Sequence, residues 1–256
     1  MSPKNIKKLA DKKYRVETGL FLVEGEKSIC ELLASDFVVE EIYGTSTFFD
    51  KITSLVRMHE KQGGGHSIKL VHANEEDLVK MGTLQTNNSG IAIVRQGKKV
   101  DHDLLARVSM DGILLALDDV RDPGNLGTIM RIADWFGVEQ IVASETTTDT
   151  YNPKTISASM GSFLRTKVTH LDLGSFLKHT CAKGTPVMGA FLDGKNIHDG
   201  GLPKRGILLM GSESHGLSET LLPYITQRIT IPKYGSAESL NVSVATGILL
   251  DALRRE

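Results

Sequence analysis

Cysteine is almost missing from this chain: Cys30 and Cys181 are the only two, far apart and outside any C-x-x-C pattern. A disulfide framework or a cysteine-held zinc is therefore not expected, and a reducing compartment fits. No apolar run approaches the length of a membrane span. The basic start lacks the apolar core of a signal peptide, because Asp11, Lys12 and Lys13 interrupt it. The chain thus reads as cytoplasmic, with no membrane partner. Neither sign of charge dominates: 30 Lys and Arg face 31 Asp and Glu, so any nucleic-acid contact must rest on local charge. The phosphate-binding signatures G-x-G-x-x-G, after the first strand of either half, and G-x-x-x-x-G-K-[ST] are missing. The histidines (His59, His66, His72, His102, His170, His179, His198 and His215) show no H-E-x-x-H or other metal spacing, so no metal is expected. Ser214-His215 lacks the G-x-S-x-G elbow of a hydrolase, and chain neighbours seldom face each other as nucleophile and base.

What is present is an ordinary globular composition, 40% apolar and 24% charged over 256 residues, enough for one large or two modest domains. The first fifteen residues carry Lys4, Lys7, Lys8, Lys12, Lys13 and Arg15 against the single acid Asp11. Ile6, Leu9, Ala10 and Tyr14 lie between them at near-helical spacing. This is either a solvated basic helix or a phosphate-facing one. Short strands are expected at residues 19–25, 37–43, 67–71 and 91–94, with helices at 27–33, 51–60 and 75–81 and a glycine loop at 63–65. The expected organisation is a small α/β domain over residues 1–95, a polar linker over 96–103, and a second α/β domain over 104–256.

The second half alternates strands and helices more regularly. Strands are expected at 113–117, 140–143, 167–171, 187–192, 207–210 and 228–231, with Asn125 capping a helix that Gly137 stops. Such alternation implies a parallel sheet covered on both faces. Three apolar strands end in polar, glycine-containing loops: Asp118 to Asn125, Gly211 to Gly216, and Pro232 to Asn241. Open parallel sheets bind ligands beyond the carboxyl ends of their strands. The last turn, from Ile231 into a helix over about 241–254, is an ordinary capped helix or a ligand loop with free N–H groups.

Taken in order, three stretches resemble the motifs of the SpoU (TrmH-like) RNA ribose 2′-O-methyltransferases. They are Asn125 to Gly137 (NLGTIMRIADWFG), Leu209 to Ser218 (LMGSESHGLS), and Ile231-Pro232 with Ser239 to Ala245 (SLNVSVA). Asn152-Pro153-Lys154 with Ala158 to Gly161 is similar to a further segment of that family, and Leu22-Val23-Glu24-Gly25 resembles its small substrate-binding domain. Lys233-Tyr234 departs from the small or apolar residues usual there.

The resemblance implies an α/β fold with a parallel sheet and a C-terminal trefoil knot. It implies S-adenosylmethionine as methyl donor, giving S-adenosylhomocysteine, held through backbone groups at Met210, Gly211, Ile231 and Leu240. Catalysis then falls to Asn125, Arg131, Glu213, Ser239 and Asn241. The family gives the residue matching Arg131 the task of removing or orienting the ribose hydroxyl proton. A guanidinium, with a pKa above about 12, is ordinarily a donor only, which points to a grip on the target ribose or phosphate. The resemblance also implies a homodimer through the second domain. RNA is the expected partner, ribosomal before transfer RNA, reached through Lys4, Lys7, Lys8, Lys12, Lys13 and Arg15. The alternatives are a tRNA enzyme of the same kind, a non-catalytic RNA-binding or ribosome-assembly protein, and last a hydrolase.

Overall fold

The computed structural model describes residues 1–62, 66–97 and 102–255. The glycine loop at 63–65 and residues 98–101 of the expected linker lie outside the described residues. The chain divides into two compact units, Met1–Lys98 with Asp149–Leu164, and Lys99–Thr148 with Arg165–Glu256. The segment Asp149–Leu164, placed in the second domain from sequence, is thus part of the first unit.

The basic start is two short helices, α1 (Pro3–Lys8) and α2 (Lys12–Thr18). Asp11 separates them by capping α2, accepting from the Lys13 N–H at 2.8 Å. Next come β1 (Leu20–Glu24), α3 (Glu26–Leu33), β2 (Val39–Gly44), α4 (Ser46–Gln62), β3 (Lys69–His72), α5 (Glu75–Met81) and β4 (Gly90–Arg95). The strands form a mixed sheet in the order β1-β4-β2-β3, with β4 antiparallel to both neighbours and β2 parallel to β3. Ile6 and Leu9 from the basic start pack with Leu78 and Met81 of α5 onto Leu22, Ile91 and Ile93. The apolar spacing within the charge run is therefore a core signal, and it turns the lysines outward.

Arg15 corrects the expected set of RNA-facing cations. It is 1% exposed, its Nη1 donating to Leu9 O at 2.6 Å and its Nε and Nη2 to Asp149 Oδ2 at 2.9 and 2.6 Å. A buried guanidinium has to be paired in this way, and this one is spent on the interior. Nearby, Phe21 meets Tyr151 with ring centroids 4.5 Å apart and Phe163 at 6.1 Å. Phe37 also lies against Phe163, at 6.0 Å. Asp149, Tyr151 and Phe163 thereby complete a core whose other members lie over a hundred residues earlier.

The second unit contains α6 (His102–Asp111), β5 (Ile113–Leu117), α7 (Pro123–Trp135) and β6 (Gln140–Ala143). The chain then lends α8 (Pro153–Ser159) to the first unit and returns with β7 (Lys167–His170), α9 (Leu173–Cys181), β8 (Val187–Asn196), β9 (Gly206–Met210), β10 (Gln227–Thr230) and α10 (Val242–Arg254). Its sheet has the order β10-β8-β9-β5-β6-β7, and every pairing is parallel. All residues of β5 and β9 are buried, as central parallel strands require. One face carries Leu114, Ala116, Val142 and Leu209 against Leu105 of α6 and Phe176 and Leu177 of α9. Alternate residues such as Leu115, Leu208 and Ile141 are equally buried and serve the other face.

Two expectations change in detail. Strand β8 runs to Asn196, past the expected Leu192, and its pairing with β10 shifts register between Arg228 and Ile229. The helix after β5 is capped by Asp122, which accepts from the Asn125 N–H at 2.9 Å, with Pro123 in the first turn. Asn125 therefore sits inside the helix, and its side chain is released for other contacts. Among the described residues no helix is long and apolar enough to cross a membrane.

Candidate active site

The three polar loops meet at the carboxyl ends of β5, β9 and β10, and one chain of hydrogen bonds joins them. Its direction is set at the start of α10. Asn241 caps that helix, its Oδ1 accepting from the Ser243 N–H at 3.0 Å and the Val244 N–H at 3.4 Å. The acceptor end of the amide is thereby committed, so Nδ2 faces away and donates to Asn125 Oδ1 at 3.0 Å. With its oxygen turned to Asn241, the Asn125 amide presents its Nδ2 on the other side, where it donates to Glu213 Oε1. A helix cap thus orients two amides and one carboxylate, contributed by all three motifs. The two side-chain contacts, Asn241 to Asn125 and Asn125 to Glu213, are exposed, so a ligand can reach the free lone pairs of Glu213.

The loop bearing Glu213 is held at its base. Ser212 and Gly216 exchange both backbone hydrogen bonds, at 2.9 and 3.0 Å. A Cβ on Gly211 would lie 2.3 Å from the carbonyl carbon of Gly216, so only glycine allows this closure. Met210 is buried, and its carbonyl accepts from the Asp118 N–H at 2.9 Å. The Asp118 carboxylate accepts from the Ser218 N–H at 2.7 Å, tying the end of the same loop to β5.

Arg131 is exposed on α7, and among the described residues its guanidinium takes part in no hydrogen bond or ion pair. It is a free cation on the helix that carries Asn125. Ser239 is also exposed and joins none of these bonds among the described residues. Ile231 is half-buried just beyond β10, and Leu240 is exposed beside the α10 cap. Between them, the backbone N–H groups from Lys233 to Leu240 have no protein acceptor among the described residues.

Sequence reading passed over three residues here. Asp122, not Asn125, is the cap, although an acid followed by proline at a helix start signals one. Asp119 adopts a left-handed φ of 58° and pairs with Arg121 Nε at 2.9 Å. That hydrogen bond, with another from Thr146 and the nearby His215, holds the Asp119 carboxyl below its usual range. Asp118 was visible only as an acid at the end of an apolar strand.

The family profile described as SpoU rRNA Methylase matches residues 112–251, and that of the MRM3-like substrate binding domain matches residues 3–92. The 23S rRNA (guanosine(2553)-2′-O)-methyltransferase RlmP of Bacillus subtilis (strain 168) is 31% identical over 98% of this chain and 95% of its own length. A solved TrmH-family protein of Porphyromonas gingivalis superposes with a TM-score of 0.84 at 33% identity, over 98% of this chain and 96% of that one. An AdoMet-bound rRNA methyltransferase of Sinorhizobium meliloti does so with a TM-score of 0.83 at 29% identity, over 98% and 93%. With more than half its length matched by the first profile and a relative spanning nearly all of it, the chain belongs to the SpoU rRNA Methylase family.

Proposed function

We propose that this chain transfers a methyl group from S-adenosylmethionine to a ribose 2′-hydroxyl of ribosomal RNA, in the large subunit, in the cytoplasm. The observation that carries this reading is the hydrogen-bonded line Asn241–Asn125–Glu213 in a member of this family, with the unpaired Arg131 on the same helix as Asn125. Likeness to a 23S rRNA enzyme along 98% of the chain, at 31% identity, supports the choice of RNA.

The residues present suit the methyl donor. Exposed Leu240 and half-buried Ile231 offer apolar surface, and the open N–H groups between them offer donors to a purine edge, beside the Met210-Gly211 turn. When bound, the cofactor supplies a sulfonium-activated methyl. The protein's part is to hold a ribose hydroxyl in line with it, and such positioning alone lowers barriers substantially. Glu213 accepts hydrogen bonds with its free lone pairs, and Asn125 is oriented by Asn241 so that its amide cannot flip. Arg131 donates to the ribose or its phosphate, and Ser239 adds a hydroxyl at the rim.

The other assignments follow from the same reading. Lys4, Lys7, Lys8, Lys12 and Lys13 are all exposed and serve as phosphate contacts. Residues 231–241 carry the chain from β10, at one sheet edge, back to α10 packed on α7, which follows central β5. Such a return is the crossing that a trefoil knot needs. A homodimer forms through α10 and α7, whose exposed Val244, Ile248 and Trp135 leave apolar surface to be covered. Gly247 is spent otherwise, because it faces Ile132 of α7 within the same chain.

The deciding experiment is mass-spectrometric mapping of ribose methylation in RNA from cells with and without the gene. Loss of one 2′-O-methyl from large-subunit rRNA is expected. Loss from tRNA alone would overturn the target and spare the chemistry, whereas an unchanged map would remove the activity. A fully active monomer in sedimentation at micromolar concentration would refute the dimer.

A further inference from the structure

Asp118 is 4% exposed, yet it is an acid at the end of a wholly buried strand. A carboxylate is costly to bury unless hydrogen-bonded. Its Oδ2 accepts from the Ser218 N–H at 2.7 Å, across a hundred residues of chain. Its own N–H donates to Met210 O at 2.9 Å, at the other end of the same loop. One residue therefore grips both ends of the Gly211–Ser218 loop, where that loop leaves the sheet and where it returns. Between the two grips lie the Ser212–Gly216 closure and Glu213, which meets Asn125. Leu217 seats the returning end of the loop in the core, but a side-chain contact of that kind leaves the backbone at Ser218 free to shift about Gly211. The charge-assisted bond to Ser218 removes that freedom.

We propose that Asp118 is a positioning residue, whose buried carboxylate latches the Gly211–Ser218 loop and so sets both the Met210-Gly211 turn and Glu213. This rests on the cofactor reading above for its functional half, and on geometry alone for the latch. It predicts two separable effects. Loss of the latch loosens the loop in the protein without ligand, and it weakens cofactor affinity more than it slows turnover at saturating cofactor.

The test uses the full chain with three substitutions. Asp118→Ala removes the acceptor, and Asp118→Asn keeps one through the amide oxygen. Ser218→Pro removes the donor N–H and sets its ring carbon against the carboxylate, breaking the same bond from the other side, at a backbone position whose φ of −60° already suits proline. Hydrogen–deuterium exchange of residues 211–218 and S-adenosylmethionine affinity by calorimetry are measured well below each variant's melting temperature. Asp118→Ala and Ser218→Pro are each expected to weaken affinity about tenfold and to speed exchange in this loop, with Asp118→Asn close to wild type. The double variant should be no worse than the poorer single, since both delete one bond. Should Asp118→Ala fail to fold, Ser218→Pro and Asp118→Asn still decide the matter. Unchanged loop exchange and affinity in the folded variants would overturn the latch. Faster exchange with unchanged affinity would overturn its link to the cofactor. A wild-type protein that binds no S-adenosylmethionine would sink the cofactor reading together with that link, and is told apart because exchange in the loop would still respond to Asp118→Ala.

Discussion

The two compact units differ in where their longest-range polar contacts lie. In the first, the costly polar group is hidden: Arg15 is buried and neutralised by Asp149, while the neighbouring lysines stay in solvent, Lys8 over the Tyr14 ring. In the second, the line Asn241 to Asn125 to Glu213 stands at the surface, each group tied to the next, while the supporting Asp118 is buried. The first arrangement serves folding, because the interior tolerates a charge only when paired. The second suits a ligand, on the function proposed above, because amides oriented by a helix cap keep their remaining valences directed. Burial of a charge and exposure of a network thus mark different tasks within one chain.

The sharpest way to break this contrast is in the second unit. Arg131→Ala and Asn125→Ala should each lower methyl transfer by about a hundredfold or more, the scale seen when a positioned donor is removed from an active site. Cofactor affinity should stay within a few fold, measured by calorimetry beside single-turnover rates. Comparable loss of cofactor binding in both would make them structural residues. In the first unit the expected damage is to stability. Phe163→Ala, which empties a site 3% exposed between Phe21 and Phe37, should cost about 3–5 kcal/mol in urea unfolding while leaving cofactor affinity intact in the folded protein.

A smaller effect separates the exposed lysines from Arg15. Replacing Lys4, Lys7, Lys8, Lys12 and Lys13 with alanine should weaken RNA binding and flatten its salt dependence, by about 0.7 in the logarithmic slope for each phosphate no longer neutralised. Arg15→Ala should instead destabilise the protein, with the salt slope unchanged in what remains folded. The smallest effect is a pH dependence. Since Arg121 holds the Asp119 carboxyl low, the pair's contribution to stability is present above the unfolded carboxylate pKa of about 3.9. It is lost as pH falls through the depressed folded value. Asp119→Asn should therefore lower the urea midpoint slightly at pH 7 and not at all at the acid end.

Much of the second sheet was legible because central parallel strands are continuous apolar runs. The limits of β5 and β6 match their sequence reading residue for residue. Helix α6 escaped notice because it starts within the stretch read as a linker, although Leu105 and Val108 stand three apart, on one helix face. Burial of Arg15 could not be read, since its partner Asp149 lies 134 residues away and no local pattern announces the pair. The same holds for Asn125: capping chemistry is local, but its bonds to Glu213 and Asn241 depend on how segments 88 and 116 residues apart come together. Local periodicity predicts elements, and the site is made by their ends.

The loan of Asp149–Leu164 to the first unit bears on how this protein can be recombined with its relatives. The small domain is not a bead that can be cut at one linker and exchanged. A truncation at residue 95 would leave Tyr151 and Phe163 without the aromatic partners Phe21 and Phe37, and Asp149 without its guanidinium. A chimera that swaps only residues 1–98 asks a foreign domain to accept this chain's insert. Retargeting to another RNA would have to carry residues 149–164 along as part of the same graft.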